Sequence, residues 1–324
     1  MNIWRFSMKR MNVIWNLTRL CPFRCPFCCV SAVYVEGFKQ VVPIDNDTPV
    51  YPGELSFSQQ RNVLDQMGAQ DFRIDFSGGD VFINPRNIDL ILYASKKFGN
   101  DNIGLSIPGT FISDDILGML RNKISDIEIT LDNSHLKVDP FRPDNYAKIA
   151  VHAIRKIVNS GIRVGVQTVL RKGNMDDSSL RDLCFLISDL GVKKWSLLKF
   201  FPVGRFYRKT GFVPRDSEYR RATKLIVDMC KNNSISPHFQ YLMPHYLDRS
   251  FKCRAISRSI GINPSGRVSS CFWALDKNGD PLKGFEIGKV PEKNIYEILK
   301  SEKALYWRNV VGDCKNFCQL LKKI

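Results

Sequence analysis

Between residues 11 and 200 of this 324-residue chain the spacing of apolar positions switches repeatedly between two periods. Short apolar or β-branched runs at 11–17, 72–77, 102–107, 127–131, 163–170 and 195–200 read as strands. Between them, 58–68, 85–98, 113–124, 145–161 and 177–191 carry apolar residues at helical spacing. Ser113 ahead of Asp114 and Asp115, Pro85 near a start, and Gly161 and Gly191 at two ends supply start and stop signals. Alternation of this kind predicts parallel strands joined by helical crossovers. Six strands are too few to close an eight-fold barrel. The expected fold is therefore α/β, an open, partial (β/α)6 barrel with its active groups at the carboxyl ends of the strands.

Two stretches depart from the simple repeat. Residues 30–56 hold Gly37, Pro43, Asp45, Asn46, Asp47, Pro49, Pro52 and Gly53 and read as a long irregular loop. Loops of that length in a compact domain tend to be functional, and a substrate-facing cover is expected here. After residue 200 comes Pro202-Val-Gly-Arg205, a polar run, and a helix over 216–232. Arg205 reads as solvated surface, with carboxylate or phosphate binding as its functional alternative. The expected division is a barrel over 1–215 and, over 216–324, a linker helix plus a small α+β unit. About ten residues precede the first strand, so a leader-binding module is not expected ahead of the barrel.

Charge narrows the class of partner. Lys and Arg number 48 against 32 Asp and Glu, a formal +16. That balance favours an anionic substrate, a peptide or a phosphorylated small molecule. Nucleic acid is not expected, because the basic residues are dispersed and no nucleic-acid-binding motif accompanies them. No stretch approaches the apolar length of a membrane span, and no signal-peptide core follows Arg5, Lys9 and Arg10. Ten cysteines without secretory features point to a reduced, cytoplasmic setting.

The cysteines carry the chemistry. Cys21, Cys25 and Cys28 stand as Cys-Pro-Phe-Arg-Cys-Pro-Phe-Cys directly after the first strand. Three thiolates are one short of the four that a closed zinc or iron–sulfur site takes from protein, which leaves one metal position open. Cys253, Cys271, Cys314 and Cys318 form a second, complete set, and Pro264–Gly266 reads as a hairpin turn that returns the chain to Cys271. Structural zinc remains an alternative for this second group. With both groups structural, the chain reads instead as a zinc-stabilised nucleic-acid-binding protein. Cys184 and Cys230 sit in helical patterns as core thiols.

The C-x3-C-x2-C spacing, with the aromatic Phe27 before the third cysteine, resembles the signature of the radical S-adenosylmethionine (SAM) superfamily. The second group, C-x12-G-x4-C followed by a distant pair, is similar to the SPASM or shortened "twitch" domain of such enzymes. The resemblance implies a SAM-binding 4Fe–4S cluster on Cys21, Cys25 and Cys28, and an auxiliary 4Fe–4S cluster on Cys253, Cys271, Cys314 and Cys318. The closing pair is C-x3-C where C-x2-C is usual. Ser77-Gly78-Gly79-Asp80 looks like the Gly-Gly-Glu motif that receives the SAM ammonium group, with Asp80 shorter than the usual Glu. Thr130-Leu-Asp132-Asn is similar to a strand end that contacts SAM or substrate. Phe27, Gly78, Gly79, Asp80, Thr130 and Asp132 are thus the implied cofactor contacts, and Cys29 is a candidate hydrogen donor. The implied activity is reductive cleavage of SAM to a 5′-deoxyadenosyl radical, hydrogen abstraction, and oxidative cross-linking or dehydrogenation of a peptide. A sugar, aminocyclitol or nucleotide is the alternative substrate, and a flavodoxin- or ferredoxin-type protein the expected low-potential electron donor.

Overall fold

The computed structural model describes residues 10–134, 139–240, 242–249, 253–312 and 318–324. In chain order these form β1 (Met11–Asn16), β2 (Leu20–Cys21), β3 (Val33–Tyr34), α1 (Phe57–Gln66), β4 (Phe72–Ser77), α2 (Asn87–Phe98), β5 (Ile103–Ile107) and α3 (Asp114–Leu120). They continue with β6 (Asp126–Thr130), α4 (Tyr146–Ser160), β7 (Val164–Leu170), α5 (Asp177–Asp189), β8 (Lys194–Lys199), α6 (Asp216–Asn232) and β9 (Ser236–Phe239). Last come β10 (Ser259–Ile262), β11 (Arg267–Ser269), β12 (Glu286–Lys289), α7 (Ile295–Lys300) and α8 (Glu302–Gly312).

One sheet runs in the order β12-β11-β10-β1-β4-β5-β6-β7-β8-β9. From β10 to β9 every neighbouring pair is parallel, while β10–β11 and β11–β12 are antiparallel. The six strands expected from the apolar pattern are β1 and β4–β8, contiguous at the centre, as a partial barrel requires. The helix over 216–232 packs on α5 and leads into β9, which pairs with β8, so its contacts run to the barrel. Residues 259–269 form the expected hairpin.

The caps the sequence offers are used. The Ser56 hydroxyl accepts from Gln59 N–H at 3.3 Å, and Gln59 Oε1 accepts in return from Ser56 N–H at 2.9 Å, a reciprocal box that starts α1. Ser113 and Asp176 cap α3 and α5 one way, their side chains accepting from Ile116 N–H at 3.2 Å and Ser179 N–H at 2.9 Å.

Alternation along each strand sorts its side chains between two environments. On β4, Phe72, Ile74 and Phe76 are buried under the helices, whereas Arg73, Asp75 and Ser77 line the barrel lumen. On β6, Ile127 and Ile129 face outward, and Asp126, Glu128 and Thr130 face the lumen. The lumen is consequently polar, and its charges pair with one another. Arg73 bridges Asp75 and Asp126 at 3.0 Å each, and Lys194 reaches Asp126 at 2.9 Å and Glu128 at 2.7 Å. Glu128 also accepts from the Ser196 hydroxyl at 2.7 Å and from Gln167. Burial pushes the Asp126 carboxyl up, but the Ser125 hydroxyl, Lys194 and Arg73 outweigh it and hold it at about 2.

A carboxyl depressed below its unfolded value stabilises the fold above that value and loses this as pH falls through the folded pKa. Asp126→Asn is therefore expected to cost roughly 1–2 kcal/mol at neutral pH, since Arg73 and Lys194 each lose one of two carboxylate partners at a partly exposed site. Urea unfolding of the two proteins should show this difference shrinking as pH drops from 3.8 toward about 2.

Candidate functional site

One cavity of about 550 Å³ occupies the lumen and the carboxyl ends of the strands, and its wall includes Cys21, Cys25 and Cys28. Cys21 ends β2 and Cys25 and Cys28 lie on the loop that leaves it, and each sulfur accepts a hydrogen bond. Cys21 Sγ accepts from Phe23 N–H at 3.4 Å, Cys28 Sγ from Ala32 N–H at 3.4 Å, and Cys25 Sγ from Arg142 Nη1 at 3.2 Å. Such donors favour thiolate over thiol. Burial acts in the opposite direction, raising the Cys21 and Cys25 thiols, with the Asp80 carboxylate adding to the rise at Cys21 and Arg142 drawing Cys25 back. A bound metal reverses that balance, because coordination deprotonates a thiol outright.

Among the described residues no three His, Cys, Asp or Glu side chains converge closely enough to hold a single metal ion. Cys21, Cys25 and Cys28 share one cavity wall. In an iron–sulfur cluster each cysteine ligates a different iron.

The Ser77–Asp80 segment shapes the floor under this loop. Gly79 N–H donates to Thr18 O at 2.7 Å and Asp80 N–H to Leu20 O at 2.8 Å. A Cβ on Gly79 would stand 2.1 Å from Leu20 O, and one on Gly78, whose φ is +136°, 2.5 Å from Thr18 O. Only glycine allows the backbones to approach this closely. Gly78 and Gly79 line the cavity. Asp80 lies behind the wall, fully buried, with Oδ1 accepting from Phe82 N–H at 3.0 Å. Burial pushes its carboxyl up to about 6 although Thr110 lies alongside to lower it.

Thr130 and Phe27 are on the cavity wall. Phe27 is buried near Phe141 and Phe200, with ring centroids 6.4 and 6.2 Å away. Asp132, like Asp80, stands behind the wall. Its Oδ1 accepts from Val169 N–H at 2.8 Å and its Oδ2 pairs with Arg142. Cys29 lines the cavity, and burial pushes its thiol up to about 12.

Three features of the site carry no motif of their own. Arg142, in the irregular stretch before α4, touches Cys25 directly. Arg205 is neither solvated surface nor an anion ligand: its Nη1 donates to Cys25 O at 2.7 Å, its Nη2 to Ala32 O, and its N–H to Cys28 O at 3.1 Å. The sequence signal was the Pro-Val-Gly-Arg turn itself, where a Cβ on Gly204 would meet Cys28 O at 2.3 Å. Phe272 and Trp273, directly after Cys271, complete the cavity wall, with Trp273 against Phe201 at 6.0 Å. The loop over 30–56 contributes Val30 and Ala32 to the cavity. Further on it is tied down by Val41 N–H to Ile83 O at 2.7 Å and Leu55 N–H to Pro264 O at 2.7 Å.

Cys253, Cys271 and Cys318 are all half-buried and within electrostatic reach of one another. Burial first, then the charges of Cys318 and Cys253, push the Cys271 thiol up to about 12. Cys314, the remaining expected ligand of this group, lies outside the described residues.

Comparison with known proteins converges on both cysteine groups. The profile of the radical SAM superfamily matches residues 15–184, and that of SPASM, an iron–sulfur cluster-binding domain, matches residues 253–319. A S-adenosylmethionine-dependent nucleotide dehydratase from Psychrobacter lutiphocae is 26% identical over 61% of this chain and 67% of its own length. The antilisterial bacteriocin subtilosin biosynthesis protein AlbA of Bacillus subtilis is 24% identical over 81% of this chain, which spans about half of AlbA, 54%. The structure of Streptococcus suis SuiB bound to S-adenosylmethionine superposes with a TM-score of 0.70 at 12% identity, covering 97% of this chain and 74% of SuiB. SuiB bound to its precursor peptide SuiA gives 0.66 at 14%, over 95% and 67%.

The two domains imply SAM and two 4Fe–4S clusters, and the three thiols on one wall and the glycine floor fit that assignment. Gly79→Ala should lower the melting temperature, overpacking of this kind costing about 1–3 kcal/mol, and should weaken SAM binding measured anaerobically by calorimetry. Gly118→Ala, where a Cβ meets nothing within 4 Å, is the control and should leave binding unchanged. The first profile spans more than half of the chain and takes in Cys21, Cys25 and Cys28, and the second takes in the later cysteine group: the chain belongs to the radical SAM superfamily and carries a C-terminal SPASM domain.

Proposed function

We propose that this enzyme oxidatively modifies a peptide, forming a cross-link or a dehydrogenated residue, in a cytoplasmic setting and with a flavodoxin- or ferredoxin-type electron donor. The observation that carries this reading is that a single cavity is walled at once by the three-cysteine loop and by Phe272 and Trp273, the residues that follow Cys271. A substrate in it lies between the two cysteine groups. Reduced SAM chemistry supplies a 5′-deoxyadenosyl radical able to take hydrogen from an unactivated carbon. The protein's part is to bind, orient and exclude water. In our assignment the Gly78–Gly79 backbone and Thr130 receive SAM, Phe27 packs beside it, and Asp80 and Asp132 brace the wall from behind. Cys253, Cys271, Cys314 and Cys318 hold the auxiliary cluster, which takes the second electron from the substrate. We assign the barrel to 1–215 and, to 216–324, a linker helix whose contacts run to the barrel followed by the auxiliary unit. AlbA and SuiB, both peptide-directed by name or by bound precursor, support the substrate class. The net charge of +16 suits an acidic peptide.

A nucleotide-type substrate is the second reading, favoured by the dehydratase relative and by the same basic charge. Anaerobically reconstituted enzyme, given SAM, a strong reductant and either short acidic peptides encoded beside its gene or nucleoside triphosphates, separates the two. Peptide product lacking two hydrogens, formed together with 5′-deoxyadenosine, is expected. Consumption of nucleotide with the peptides untouched sinks the peptide reading.

Cys29 provides a further discrimination. If it returned hydrogen to the substrate radical, the reaction would be redox-neutral, and Cys29→Ala would keep SAM cleavage but lose product. Oxidative modification needs no such donor. Mass-spectrometric product yield from Cys29→Ala is therefore expected to match the unsubstituted enzyme.

A further inference from the structure

Arg142 is the cation in direct contact with a sulfur of the three-cysteine site. Its side chain is 11% exposed, and every face of the guanidinium is occupied. Nε and Nη2 form a two-point pair with Asp132 Oδ2, at 2.7 and 2.6 Å. Nη1 is left to donate to Cys25 Sγ at 3.2 Å. The guanidinium carbon lies over two rings, 4.5 Å from the centre of Phe27 and 4.3 Å from that of Tyr146. Asp132 is in turn fixed by Val169 N–H at 2.8 Å, so the pair is built on the end of β7 and does not move with solvent.

We propose that Arg142, keyed in place by Asp132, is the positioning cation of the SAM-binding cluster: its hydrogen bond to Cys25 stabilises the reduced cluster and raises its reduction potential. Adding an electron makes a thiolate-ligated cluster more negative, so a fixed positive group at a ligand sulfur favours the reduced form over the oxidised one. Low polarity around the contact strengthens it. Asp132 prevents the arginine from swinging away and directs its remaining N–H groups at the sulfur. Guanidinium geometry is essential, because a lysine ammonium reaches one partner or the other but neither stacks on the rings nor forks. The inference rests on the cluster, not on the substrate reading, and its test uses no substrate.

The experiment is an EPR-monitored potentiometric titration of the anaerobically reconstituted full chain, without SAM or substrate, alongside iron analysis. A variant with Cys21, Cys25 and Cys28 all changed to Ala supplies the auxiliary signal for subtraction. In Arg142→Met the reduced-to-oxidised ratio of the SAM-binding cluster at a fixed potential is expected to fall roughly tenfold, the scale of one hydrogen bond to a charged group. Arg142→Lys should recover part of the loss, and Arg142→Gln, an uncharged donor, should shift the ratio in the same direction as Met. An unchanged ratio in iron-replete Arg142→Met overturns the proposal. If that variant fails to load iron, an unchanged ratio in iron-replete Arg142→Gln overturns it equally.

Discussion

The parallel pairing of the first two barrel strands does not stop where the strands stop. Beyond β1 and β4 the ladder continues through Leu17 N–H to Ser77 O, Gly79 N–H to Thr18 O and Asp80 N–H to Leu20 O, at 2.9, 2.7 and 2.8 Å. This extension delivers the chain to Cys21 as part of the sheet. A loop bearing three ligands and little regular structure cannot fix its own shape, because ordering each residue costs about 1–2 kcal/mol. Here the cost is met from outside the loop. The strand ends hold it beneath, Arg205 grips two of its carbonyls from the turn after β8, and Arg142 reaches its central sulfur. Both glycines at 78 and 79 follow from the first of these contacts, since a Cβ at either would collide with backbone.

Charge under the loop is arranged with equal economy. A thiolate-ligated cluster is itself anionic, and carboxylates beside it would oppose its reduction. Two buried carboxyls lie beneath the loop. Burial pushes Asp80 to about 6 and Glu54 to about 7, even though Glu54 Oε1 accepts from Arg19 N–H at 2.6 Å and from Thr18. Burial thus weakens the preference of each for its charged form. The lumen acids are paired with Arg73 and Lys194. Negative charge is therefore kept where cations answer it and is reduced where an anionic group is to bind.

The barrel strands were legible because they alternate, and alternation is imposed by a polar lumen inside an apolar shell of helices. Both cysteine groups were legible because ligand spacing is local. What escaped was assembled by folding. Arg142 acquires meaning only when residues 25, 27, 132 and 146 meet around it, and nothing in the sequence near 142 records that meeting. Arg205 was read for its charge when its role lies in donating to carbonyls. Asp80 and Asp132 were read from motifs as facing a ligand, yet both lie behind the wall: a tight Gly-Gly backbone leaves the next side chain to cap the following turn, and Asp132 turns back onto β7. The sheet's growth from six strands to ten was invisible for a related reason. β9 and β10 are short, four residues each, and are recruited by the edges that β8 and β1 leave open.

That recruitment decides how the two cysteine groups stand to each other. β10 pairs in parallel with β1 over Asn12–Trp15, so the auxiliary unit grows from the barrel's own sheet and does not hang from a linker. Its loops then return to the three-cysteine loop itself. Ser31 Oγ donates to Lys277 O at 2.8 Å, and a Cβ on Gly279 would meet Val30 O at 2.2 Å. Gly204, beside Arg205, donates from its N–H to Leu275 O at 3.5 Å, joining the turn after β8 to the same loop. Hinge motion between the two units would have to break a strand pair and these contacts together. The span between the cysteine groups is accordingly a fixed dimension of the fold, and a substrate must conform to the chamber it encloses. On the proposed reading, specificity falls to the wall residues that project into that span, Phe201, Phe272 and Trp273.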